Sequence, residues 1–260
     1  MLRVRAIADF LEAFAPSCLA EDWDNVGLLV GDADAAVERI MTCLSVTDAS
    51  ADEAIRQRAE LIVAHHPIPF QPLKRLTTES PTGRLLLRLV ADGVAVYSPH
   101  TALDSAARGI NQLLAEGLGL HDIAPLVTAP GGISAGRCGR LRAVQPLGEF
   151  AETVKAFLRL EAVQRVGDAA RPIQRVAVAC GSATELLSAA RERGCDCFVT
   201  GEARFHSCLE AEATGMAMLL VGHHASERFG VERLAEALAE KFADATVWAS
   251  RDEHDPIAWT

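Results

Sequence analysis

Twice in this chain a short apolar run ends in two adjacent histidines: at "LIVAHHP" (61–67) and at "MLLVGHHASER" (218–228). In the second, Glu227 lies four residues after His223, so a helix starting there would put both side chains on one face. Imidazole and carboxylate are the donor set of a divalent transition metal: zinc, iron, manganese, cobalt or nickel. A third polar cluster, "SPHTALD" (98–104), supplies His100 and Asp104, and a fourth, "TGEARFH" (200–206), supplies Glu202 and His206. Six of the eight histidines lie in these four places, so they mark a site. A lone histidine at a strand end is more often structural than ligating. Two such pairs with nearby carboxylates reverse that preference.

The five strongest candidates, His65, His66, Asp104, His223 and Glu227, exceed the roughly three protein ligands of one catalytic zinc. A shared carboxylate would give two ions three ligands each. That is a hydrolytic layout, in which one ion lowers the pKa of water and both clamp the substrate. His100 is then a ligand, an orienting group or a proton shuttle. Glu202 and His206 are weaker, because polar and acidic residues are favoured at helix starts in any case. His121 and His254 have no partners in sequence and read as surface residues. Asp24-Asn25 in "EDWDNVGLLVGD" (21–32) reads as turn chemistry before Gly27, with Trp23 packed beside it. Cys195 and Cys197 sit in the apolar run "CDCFVT" and read as buried strand residues rather than soft-metal ligands. Cys208, two residues from His206, is poor support for a Cys–His hydrolase, since such partners meet in the fold and not in sequence. There is no GxxxxGK[ST], GxGxxG or GxSxG motif.

The elements that must position these groups alternate. Runs rich in Val, Ile and Leu are expected as strands at 40–46, 61–64, 94–97, 140–144, 176–179, 197–200 and 218–221. Helical patterns fall at 49–59, 82–92, 106–118, 149–160, 184–193, 208–215 and 227–242. The alternation predicts an α/β fold of two lobes with mostly parallel sheets. Each polar cluster follows a strand, where the loops of such sheets diverge into a ligand crevice. The stretch 127–140 holds four glycines and a proline without apolar periodicity, and a lobe boundary is expected there. This divides the chain into an N-terminal lobe (1–128), a C-terminal lobe (129–245) and a last strand with an irregular tail (246–260), which could pack back on the first lobe.

With half of its 260 residues hydrophobic, the chain can bury a substantial core. Twenty-five basic against 35 acidic residues give a net charge of -10, which weighs against nucleic acid as a partner. Asp9 and Glu12 interrupt the apolar part of the N-terminus, so no signal peptide is read there. No apolar run reaches the ~18 residues of a membrane span. The odd count of seven cysteines fits reduced thiols, and a cytoplasmic location is expected.

"EDWDNVGLLVGD", "LIVAHHP", "YSPHTALDSAARGINQLLAEGLGL", "FVTGEARFH" and "VGHHASER" together resemble the motifs of the NIF-three-like family, dinuclear-metal proteins often labelled GTP cyclohydrolase I type 2. The resemblance runs from near Arg3 to "DPIAW" in the tail. It implies two divalent ions per subunit, with His66 and Asp104 on one, His65 and His223 on the other, and Glu227 bridging. It places His100 near the ions, as an orienting group or proton shuttle. It further implies a site in the cleft between two α/β lobes, a homohexameric ring, and a nucleotide-like substrate opened hydrolytically by activated water. The short 127–140 link leaves no space for the extra domain that longer members insert. The rival reading is a non-catalytic metal-binding ring that handles metal or binds a partner.

Overall fold

The computed structural model describes residues 1–128 and 134–258. Its contacts group into two compact units: Met1–Leu103 with Gly230–Thr260, and Asp104–Phe229.

In the first unit, β1 (Gly27–Val30), β2 (Arg39–Cys43), β3 (Leu61–Ala64), β4 (Ala95–Ser98) and β11 (Thr246–Ala249) form a sheet in the order β1-β4-β3-β2-β11. All its pairings are parallel except β1 with β4. Strands β3 and β4 are buried along their whole length, which explains their uninterrupted apolar sequences. The crossovers are α2 (Asp48–Arg56) and α3 (Pro81–Ala91). Thr47 and Ser50 close a reciprocal capping box on α2. The Ser80 hydroxyl caps α3, and Pro81 occupies the first turn, where its missing N–H costs nothing. Helix α1 (Val4–Phe14) buries Val4, Ile7 and Leu11, one stripe at helical spacing.

The tail after β11 is stitched to α2 through Glu53, which is 2% exposed. Its carboxylate accepts Trp248 Nε1 (2.9 Å), Ser250 Oγ (2.6 Å), and the main-chain N–H groups of Arg251 and Asp252. Burial alone would raise the Glu53 pKa, but these donors outweigh it and lower it.

The second unit carries β5 (His121–Thr128), β6 (Ser134–Pro146), β7 (Gln164–Val166), β8 (Pro172–Ala179), β9 (Cys197–Thr200) and β10 (Ala217–Leu220), in the order β5-β6-β8-β9-β10-β7. This sheet is mixed: β8–β9 and β9–β10 are parallel, the other pairings antiparallel. The glycine-rich stretch 127–140, expected as a lobe boundary, enters this sheet at both ends. Val127 pairs with Ala135 and Thr128 with Ser134, while residues 129–133 lie outside the described structure. Gly139 is there for close approach, since a Cβ on it would come 2.9 Å from the His121 carbonyl oxygen. Masking by glycine is also why β6 lacks an apolar rhythm. Phe150 and Phe198 are among the largest fully buried side chains and lie in different core clusters of this unit.

The helical pattern expected over 106–118 forms α5 (Ile110–Gly117), with Gly109 as its N-cap, and a separate short helix, α4 (His100–Ser105), precedes it. The buried guanidinium of Arg137 donates to the carbonyls of Ser105 (3.0 Å) and Ala106 (2.9 Å) at the end of α4, where Ala106 O also accepts Gly109 N (3.0 Å). The remaining helices are α6 (Leu147–Leu158), α7 (Leu187–Glu192), α8 (Phe205–Ala213) and α9 (His223–Lys241). Helix α9 starts four residues earlier than its apolar pattern, at His223 itself.

Glu53→Ala leaves four donors of the tail without their acceptor. It is expected to cost about 2–3 kcal/mol in urea unfolding, and a loss within error of zero would show that the clamp is not a source of stability.

Candidate metal centre

In the first unit the β2–β3 ladder continues past both strand ends. His65 N donates to Cys43 O (2.9 Å) and His66 N to Leu44 O (2.8 Å), so both imidazoles leave a fixed backbone. His65 is 1% exposed, and its carbonyl accepts Ser98 Oγ at 2.6 Å. His100 follows β4 with φ +28, a conformation rare outside glycine, and this unusual backbone aims its ring at the pair. The ring nitrogens that His65, His66 and His100 can offer all lie within 4.8 Å of one another.

Asp24 holds His100 in place. Its Oδ1 is 2.7 Å from His100 Nδ1 and accepts Asn25 N, while Oδ2 accepts Thr101 N (3.1 Å) and Thr101 Oγ1 (2.5 Å). Burial pushes the Asp24 pKa up, but the bonds to His100 and Thr101 prevail and bring it down to about 2. Asp24 is therefore a carboxylate at every working pH. The Asp24-Asn25 pair, expected as turn chemistry, is a support for His100. Trp23 and Phe70 stand edge-on to the same ring at 5.9 and 5.8 Å.

In the second unit Asp104 lies on α4 and His223 and Glu227 on the first turn of α9. Cys180 Sγ donates to Asp104 Oδ1 (3.2 Å), while Asn111 ties Asp104 O to Cys180 N. Burial, then the negative charges of Asp104 and Glu227, push the Cys180 thiol well above its usual range, so it stays a neutral donor. His223 Nε2 is 3.1 Å from Glu227 Oε2, so the i, i+4 spacing does bring them together. His223 Nδ1 meets Glu202 Oε1, also at 3.1 Å, which gives the weakly ranked Glu202 a definite partner. The Glu227 bond, offset by burial and helped by Glu202, raises His223 to about 9.

Two glycines make this half possible. A Cβ on Gly181 would stand 2.4 Å from Glu227 Oε1, and one on Gly201 2.8 Å from Ser226 Oγ. Ser226 in turn accepts Gly181 N and donates to His223 O, fixing the start of α9 against the β8 loop. Gly201 directly follows β9, and Gly181 comes two residues after β8.

The donor chemistry fits a divalent transition metal: the buried His65 and His100 with the half-buried His66 in one unit, an imidazole–carboxylate pair in the other. His206 is exposed on α8, and His121 and His254 are exposed as well. Cys195 and Cys197 are buried, and burial raises both thiols, that of Cys195 to about 12. Among the described residues no helix is long and apolar enough to cross a membrane.

The family model described as Duf34/NIF3 (NGG1p interacting factor 3) matches residues 2–256. A Clostridium acetobutylicum protein named "GTP cyclohydrolase 1 type 2 homolog" is 32% identical, with 98% of each chain covered. The "Protein NIF3 homolog" of Schizosaccharomyces pombe is 34% identical over 92% of this chain and 91% of its own. The crystal structure of a Bacillus cereus protein related to NIF3 shares the fold at a TM-score of 0.90 and 24% identity, covering 100% and 99%.

Asp24→Asn removes a buried charged acceptor and is expected to cost about 2 kcal/mol at neutral pH. The Asp24 pKa is depressed from 3.8 to about 2. Its stabilisation is therefore complete above about pH 5 and is lost as pH falls toward 2. The gap in melting temperature between wild type and variant should close over that window. A gap independent of pH would refute the charged role.

Proposed function

The chain belongs to the Duf34/NIF3 family, and from that premise we propose that it is a dinuclear divalent-metal hydrolase of the GTP cyclohydrolase 1 type 2 kind, acting on a nucleotide-like small molecule. His66 and Asp104 hold one ion in this reading, His65 and His223 the other, and Glu227 serves both. When bound, the ions supply Lewis acidity that lowers the pKa of water and orients the substrate.

The observation that carries a catalytic reading over a purely structural one is the Asp24–His100 dyad beside His65 and His66. The buried carboxylate accepts Nδ1–H and so selects the tautomer whose Nε2 can take a proton. A histidine held in this way is a general base that can later return the proton to a leaving nitrogen. As a ligand, His223 would be a neutral imidazole, with the Glu227 carboxylate 3.1 Å from its Nε2 available to the same ion. The proposal includes a homohexamer and a cytoplasmic location.

Metal content of the purified protein is expected at two ions per chain by elemental analysis. Turnover is then sought with GTP and a nucleotide and phosphoester panel in Mn, Fe, Zn and Co. No turnover at full metal occupancy would favour the non-catalytic, metal-handling ring. Glu227→Gln should lose both ions and His65→Ala mainly one; full occupancy in Glu227→Gln rules out bridging. His100→Ala should keep both ions and lose about 100-fold or more in rate, whereas loss of an ion would make His100 a ligand.

A further inference from the structure

The segment after β11 ends in a contact with the turn that carries His66. Both Glu253 carboxylate oxygens are used there: Oε2 accepts Leu44 N at 2.9 Å, and Oε1 accepts Ser45 N at 2.7 Å. The same two residues hold His66 twice. Leu44 O accepts His66 N, and Ser45 Oγ lies 2.7 Å from His66 Nδ1. We infer that Ser45 and Glu253 are positioning residues for His66, through which the C-terminal segment sets the affinity of the His66 position for a divalent ion. The inference rests on the proposal that His66 is a ligand.

An imidazole ligates through one ring nitrogen, and the bond made by the other fixes its tautomer and rotation. With Nδ1 engaged by Ser45, the hydroxyl accepts Nδ1–H and Nε2 is the atom presented to an ion. A serine hydroxyl does this well only if its own backbone is held. Glu253 supplies that restraint with two charge-assisted bonds to consecutive N–H groups, the stronger kind of hydrogen bond. The carboxylate is itself delivered by an anchored chain. Glu53 holds Ser250 Oγ and the N–H groups of Arg251 and Asp252, and Ser250 Oγ also accepts Glu253 N at 3.2 Å. The exposed Arg56–Asp252 pair adds little in water. A continuous line therefore runs from α2 through the tail to the turn after β2 and on to His66. A brace needed only for stability would have no reason to end on an imidazole ring.

Metal-free full-length protein is titrated with Zn2+ in competition with a chromophoric chelator, and its melting temperature is measured in parallel. Ser45→Ala should weaken the affected ion by about 10-fold or more, with the metal-free melting temperature within about 2 °C of wild type. Ser45→Thr, which keeps the hydroxyl, should restore affinity. Glu253→Gln presents an amide N–H to one of the two backbone donors and should weaken the same ion. Trp248→Phe lies in the same tail, but its lost bond goes to Glu53; it should lower the melting temperature and leave zinc affinity unchanged. Wild-type affinity in Ser45→Ala, or affinity that merely tracks melting temperature across the series, overturns the inference while leaving the metal site standing. A wild-type chain that takes up none of Zn, Mn, Fe and Co overturns the proposed function, and this inference with it.

Discussion

The histidine cluster of the first unit depends on a β ladder that outlasts its strands. On extended backbone, neighbouring side chains point to opposite faces, so two adjacent histidines would ordinarily serve two different surfaces. Here the hydrogen bonds to Cys43 and Leu44 keep the chain in register beyond Ala64, yet the His65 and His66 rings end with centroids 5.0 Å apart. Pro67 follows at once and excludes helical geometry for His66. The backbone is thus rigid at the point where the rings must converge, and the strained His100 completes the group from the neighbouring β4. Precision comes from the sheet, and the side chains need only short reach.

The buried charges of Asp24 and Glu53 are tolerated around this frame because donors meet both carboxylates. Burial works against ionised Asp24 and Glu53 alike, and in both the accepted hydrogen bonds prevail. Cys180 shows the opposite outcome. Burial and the charges of Asp104 and Glu227 push its pKa up, so it remains a thiol and serves Asp104 as a donor. Two carboxylates and a potential thiolate placed together would repel; a neutral thiol removes one charge from that set.

Much of this was legible in the residues. Uninterrupted apolar runs marked β3, β9 and β10 to within a residue or so, because strands covered on both faces carry no alternation. The polar groups immediately after them named the donor-bearing loops. Three things were not legible. Asp24 looked like turn chemistry, because an Asx residue before a glycine gives the same local signal whether its carboxylate faces its own backbone or a histidine 76 residues away. Gly181 and Gly201 act by having no side chain, and a void has no motif. The stretch 127–140 resembled a linker, because glycines that let strands approach closely look, in sequence, like glycines that let a chain turn.

The first unit is assembled from two separated pieces of chain, and that has a consequence for how the protein comes into being. Glu253 and Leu44 are 209 residues apart in sequence, and β11 must find β2 across the same interval. The intervening Asp104–Phe229 stretch is contiguous and can begin to order as it leaves the ribosome. The sheet that carries His65 and His66 waits for its last strand until the whole Asp104–Phe229 stretch has been made. Long-range closure of this kind is slow compared with local folding. A nascent chain would therefore present an open edge at β2 until residues 246–249 emerge, and this parallel edge is where misassembly or a chaperone would act.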